Sequence, residues 1–144
     1  PTAGPRDQRP SPAGDLAGVY VLVVEDDADS RAAVQLMLEA RGAHVLVAED
    51  GAAALRICQS APRLHVIVSD LSMPNVDGFE LARRLRADPR CASLPIVALT
   101  GMGRDLDHLR TLEAGFTAHL QKPADPDVLV ALIRHLLGKR RGAS

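Results

Sequence analysis

Tryptophan is absent from this 144-residue sequence, and the larger aromatics number only three: Tyr20, Phe79 and Phe116. A surface that stacks nucleic-acid bases needs more rings than this. Cysteine is scarce too. Cys58 and Cys91 lie far apart in the chain, outside any CxxC spacing. That argues against a disulfide scaffold or a zinc site and for a reducing cytoplasm. No long apolar run exists: none is longer than residues 19–24, far short of the roughly 20 residues that cross a bilayer. No basic start followed by an apolar core marks a signal peptide. The net charge of −1 gives no electrostatic footprint for nucleic acid or anionic lipid. Neither GxGxxG nor a Walker loop occurs, and there is no internal repeat.

What is present is an ordinary globular balance, 47% hydrophobic and 24% charged, in a length suited to one domain. Residues 1–17, rich in Pro, Gly, Ser and charge, read as a flexible linker or tail. The domain is expected over 18–138, with 139–144 as a C-terminal tail. The first residue is Pro rather than Met, so the chain reads as a piece of something longer.

The domain alternates. Residues 19–24 form an unbroken β-branched run, the pattern of a strand buried on both faces. A helix is expected next, capped by Asp29 or Ser30, carrying Val34, Met37 and Leu38 and running to about Arg41, with Gly42 as its stop. Further strands are expected at 44–48, 66–68, 96–99 and 118–121. Helices are expected at 51–60, 79–87 and 106–114. A last one starts at Asp125-Pro126 and stops at Gly138. Five strands alternating with five helices imply a parallel α/β sheet covered on both faces.

Ligands of such sheets bind beyond the carboxyl ends of the strands. Four of the five ends carry polar groups: Glu25 and Asp26, then Asp70, Thr100 and Lys122. Solvent-facing strand ends account for any one of these but poorly for three carboxylates, a hydroxyl and an ammonium together. Clustered carboxylates repel, and a hard divalent cation such as Mg²⁺ relieves them. A carboxylate so placed can act as a nucleophile toward phosphorus. The lysine and the hydroxyl can then steady the phosphoryl oxygens. Asp70 is the central carboxylate and hence the natural acceptor.

VLVVEDD, VIVSDLSMPNVDG, IVALTG and LQKP, in this order over residues 19–137, resemble the receiver domains of two-component response regulators. That resemblance implies a flavodoxin-like (βα)5 three-layer sandwich with strand order 2-1-3-4-5. It implies a regulatory phosphoacceptor rather than an enzyme, in the cytoplasm, with Asp70 taking a phosphoryl group from a sensor histidine kinase or a histidine phosphotransfer domain. Mg²⁺ would be held by Glu25, Asp26, Asp70 and the backbone carbonyl of Ser72. Thr100 would be the switch hydroxyl and Lys122 the phosphoryl clamp. His119 stands where the family usually has a switch aromatic, and Ala124 where a Phe is common. The wording around LQKP is similar to receivers at the C-terminus of hybrid sensor kinases, so an attached kinase or effector domain upstream is expected, without nucleic-acid or membrane contact. Two alternatives compete. Asp27-Ala28-Asp29-Ser30 spells the DxDxS of haloacid-dehalogenase-type phosphatases, and the fold could be a pseudo-receiver that binds without being phosphorylated.

Overall fold

A computed structural model describes residues 14–60, 63–71, 78–100 and 115–143. Five strands form one parallel sheet: β1 (Tyr20–Val24), β2 (His44–Ala48), β3 (Val66–Asp70), β4 (Ile96–Thr100) and β5 (Ala118–Gln121). Their order is β2-β1-β3-β4-β5, the flavodoxin-like arrangement. The described helices are α1 (Ala28–Glu39), α2 (Gly51–Ser60), α3 (Gly78–Ala87) and α4 (Pro126–Ala143). The helix expected at 106–114 lies outside the described residues.

The sequence of the inner strands follows from their burial. Alternate residues of a strand point to opposite faces. Leu22, Val24, Ile67, Ile96 and Ala98 enter one core with Ala54 and Cys58 of α2 and Leu81 and Leu85 of α3. Val21, Val23, Val66, Val68, Val97 and Leu99 enter the other with Leu38 of α1 and Leu129 and Ile133 of α4. Both faces must therefore be apolar, which removes any polar alternation. Each such fully buried Leu or Ile contributes about 1.5–3 kcal/mol. The edge strand β2 is largely exposed, with Leu46 and Val47 open to solvent.

Several boundaries differ from those read in the sequence. The cap of α1 is Asp27, not Asp29 or Ser30: its carboxylate accepts from Ser30 N–H at 2.8 Å. A cap needs a side chain that reaches back over the first turn, and three neighbouring polar residues compete for that role in sequence. Gly42 has φ +95, as the end of a helix needs. Strand β3 runs on through Ser69 to Asp70, and β4 includes Thr100. Leu16, read as part of the tail, is fully buried. Its N–H donates to Arg41 O at 2.7 Å, and Asp15 beside it pairs with Arg41 and Arg134. A single apolar residue among Pro, Gly and charges carries no periodicity, so only tertiary packing reveals it. At the other end α4 passes through Gly138 to Ala143. Gly138 has no left-handed φ, and glycine inside a helix costs only about 1 kcal/mol.

The end of the sheet opposite the strand carboxyl termini is tied by Arg86, near the end of α3. Its guanidinium donates to the carbonyls of Leu94 (2.7 Å), Gly115 (2.9 Å), Ala92 (3.0 Å) and Cys91 (3.3 Å), and to Thr117 Oγ1 (3.3 Å). Thr117 Oγ1 in turn accepts from Ile96 N–H at 3.0 Å. Gly115 is the tight spot. Its φ is +111, and a Cβ there would sit 2.6 Å from Arg86 Cγ. Gly115→Ala is therefore expected to destabilise the domain by about 2–4 kcal/mol, strain and clash together. Thermal unfolding measures this, and in an Arg86→Ala background the clash portion disappears and the penalty shrinks.

Candidate functional site

The carboxyl ends of β1 and β3 and the residues after β5 bring four of the expected side chains into one cluster. Glu25 and Asp26 directly follow β1, and Asp70 ends β3. Carboxylate oxygens of Glu25, Asp26 and Asp70 all lie within 4.8 Å of one another. Glu25 and Asp70 are buried, while Asp26 is exposed. Lys122 bridges the two buried acids, its Nζ 3.0 Å from Glu25 Oε1 and 3.1 Å from Asp70 Oδ1.

Backbone contacts hold these groups. Glu25 N–H donates to Ala48 O at 3.0 Å, and Lys122 N–H donates to Thr100 O at 2.7 Å. Glu25 Oε2 accepts from Asp27 N–H at 3.2 Å, and Glu25 O accepts from Arg31 at 2.9 Å. Ser69 donates its hydroxyl proton to Asp70 O at 2.9 Å. Arg31 escaped the sequence reading. Its only signal was a place one turn into α1, from which a long side chain reaches back to the end of β1.

The charges lie close enough to shift one another. Burial pushes the Glu25 carboxyl above the usual range, and the hydrogen bond from Lys122 pulls it part of the way back. Burial alone would lower the Lys122 ammonium, but hydrogen bonds to Glu25 and Asp70 outweigh it and raise its pKa. Lys122 is thus held charged, the cation that, among the described residues, bridges the acids of the cluster.

Thr100 is buried, and its hydroxyl donates to Leu120 O at 3.4 Å. Across the β4–β5 ladder Ala98 pairs with His119 and Thr100 with Gln121. His119 is therefore on the same face of the sheet as Thr100, half-buried. Ser72 lies outside the described residues. Asp27 and Asp29, the pair of the phosphatase alternative, are exposed on α1. Asp27 is engaged as the helix cap, and this lowers its pKa. Beside the acidic cluster opens a cleft of about 550 Å³ between α1 and the start of α4, lined by Ala33, Val34, Met37, Lys122, Pro123 and Ala124 among others.

Fold and site together define a doubly wound parallel α/β protein with an acidic cluster and a lysine at the strand carboxyl ends. The family model described as response regulator receiver domain matches residues 21–134. Among curated proteins, response regulator Rre1 of Synechocystis is 38% identical over 128 residues, covering 88% of this chain and 54% of Rre1. An uncharacterized 14.6 kDa protein of Leptolyngbya boryana is 42% identical over 120 residues, covering 83% of this chain and 90% of that one. Of Rre1 and several other curated relatives, in contrast, the chain spans about half the length. Among solved structures, the receiver domain of the sensor histidine kinase PA1611 from Pseudomonas aeruginosa aligns with a TM-score of 0.78 at 30% identity. The alignment covers 85% of this chain and 99% of that one, and magnesium is coordinated in that protein's active site cleft. The chain belongs to the receiver domain family of two-component response regulators. Among the described residues no helix is long and apolar enough to cross a membrane.

Proposed function

We propose that this receiver domain accepts a phosphoryl group on Asp70 from a phosphohistidine of a sensor kinase or phosphotransfer domain. The observation that carries this reading is the buried Asp70 carboxylate, 3.1 Å from the Lys122 ammonium and inside the acidic cluster. A carboxylate oxygen forms the new O–P bond as the N–P bond to the donor imidazole breaks, and the imidazole leaves with that electron pair. Lys122 stays charged and steadies the phosphoryl oxygens, to which Thr100 can offer its hydroxyl once turned from Leu120.

Three carboxylates with one shared cation fit a hard divalent ion. Glu25, Asp26 and Asp70, with the Ser72 carbonyl, are the residues that would hold Mg²⁺. Bound Mg²⁺ supplies the positive charge that the carboxylates and the developing phosphoryl oxygens require. The apolar cleft beside Lys122 supports docking of the donor helix next to Asp70. Output runs through Thr100 and His119, which share one face of the sheet. Phosphorylation biases a two-state element there. Similarity to a kinase-borne receiver supports an attachment of this domain to a kinase or effector domain.

Incubation with acetyl phosphate and Mg²⁺ tests this reading. Intact mass spectrometry is expected to show one added phosphoryl group, which hydroxylamine removes as it does from acyl phosphates. Chelation of the metal is expected to suppress labelling by about tenfold or more. Labelling of full extent with the metal chelated would refute the metal assignment.

A further inference from the structure

The two cysteines that sequence leaves unconnected meet in the fold. Cys58 sits near the end of α2 and Cys91 in the loop between α3 and β4, and both are free and buried. Cys91 Sγ lies 4.0 Å from Cys58 O. One residue away on each side, Arg90 donates to Gln59 O at 3.1 Å, so the two backbone segments are held against each other. Both thiols belong to the same apolar core. With two cysteines in the whole chain, neither has another intrachain partner.

We propose that Cys58 and Cys91 are a latent dithiol, which a small disulfide of the oxidised-glutathione class closes into an intramolecular bond. This bond would staple α2 to the loop before β4. It is a modification site apart from the phosphoryl chemistry, and it stands or falls without that reading.

Disulfide formation needs the sulfurs at about 2.05 Å and the Cβ atoms near 3.8 Å. The movement has to come from the loop, where the exposed Arg90 and Ala92 flank Cys91, and it works against the hydrogen bonds Arg86 makes to the carbonyls of Cys91 and Ala92. The Cys91 thiolate attacks one sulfur of the oxidant and expels one small thiolate. The Cys58 thiolate then attacks Cys91 Sγ in the mixed disulfide and expels the second. Two protein thiols lose two protons and two electrons, and the oxidant is reduced to two thiols. Burial pushes the Cys58 thiol up to about 12 and raises Cys91 as well. Thiolate is therefore scarce at neutral pH, and closure waits on loop opening and quickens as pH rises.

The test is incubation with excess oxidised glutathione, in buffer and in urea below the unfolding transition, then denaturation and alkylation. The expected product lacks the mass of two hydrogens, takes no alkyl label, stays monomeric and melts roughly 5–15 °C higher. Dithiothreitol reverses it, urea accelerates it, and peptide mapping shows the 58–91 link. Cys58→Ala and Cys91→Ala are each expected to stop at a glutathione adduct. Wild-type chain that keeps two alkylatable thiols in urea, retains glutathione, or forms linked dimers overturns the proposal.

Discussion

Asp70→Asn is expected to abolish labelling by acetyl phosphate, a fall of ~10²-fold or more. The amide matches the carboxylate in shape but has no anionic oxygen to offer phosphorus. The fold should survive, because Lys122 keeps its contact with Glu25 at 3.0 Å. Removing one of two buried acids also relieves their repulsion, which contributes to the raised Glu25 pKa. The melting temperature is thus expected to hold or rise while reactivity vanishes, a combination that unfolding cannot mimic. Intact mass and thermal melts on the same sample measure both. Labelling that persists at wild-type level would move the acceptor to another residue, with Asp26, the exposed carboxylate of the cluster, the first to examine.

The second large effect is on stability. Lys122→Met removes the cation shared by Glu25 and Asp70, whose side chains are only 3% and 8% exposed. Breaking a buried ion pair from one side strands the remaining charge, typically at 3–5 kcal/mol. Lys122 itself is 33% exposed, so solvent screens part of this, and about 2–3 kcal/mol is expected without metal. Melting should then fall by roughly 5–15 °C. If the same acids hold Mg²⁺, saturating metal should return most of the loss, because the ion supplies the missing charge. Melting curves with and without Mg²⁺ decide this. A variant as stable as wild type without metal would show that the lysine does not offset these acids. One that melts low but gains nothing from Mg²⁺ would sink the metal reading alone.

The sequence made much of this fold readable, for reasons tied to particular residues. The uninterrupted Val and Ile runs of β1, β3 and β4 meet two apolar layers, one on each side, so they announce buried parallel strands. Glu25, Asp26 and Asp70 were legible because each follows or ends such a run, and Lys122 because it follows the last strand of the alternation, where topology gathers strand ends. The burial of Leu16, the meeting of Cys58 with Cys91 and the contacts of Arg86 were not. Each joins segments distant in sequence, and nothing local distinguishes a cysteine or arginine with such a partner from one without. The cap of α1 was missed by two residues because Asp27, Asp29 and Ser30 are all capable and only geometry selects among them. Thr100 and His119 fall where expected along their strands, but a strand register does not reveal which way a hydroxyl turns.

The uncharged acceptors around Arg86 have a mechanical meaning. Carbonyls from the loop before β4 and the segment before β5 converge on one planar group. The entry of both strands is therefore bolted to α3, while their far ends carry Thr100 and lead into Lys122. Two neighbouring strands clamped at the base behave as cantilevers: a push at the tip bends the tip and leaves the root in place. A rearrangement driven from the acidic edge is therefore expected to bend the distal half of β4 and β5, with the half-domain around α3 as the fixed frame against which that bending is read.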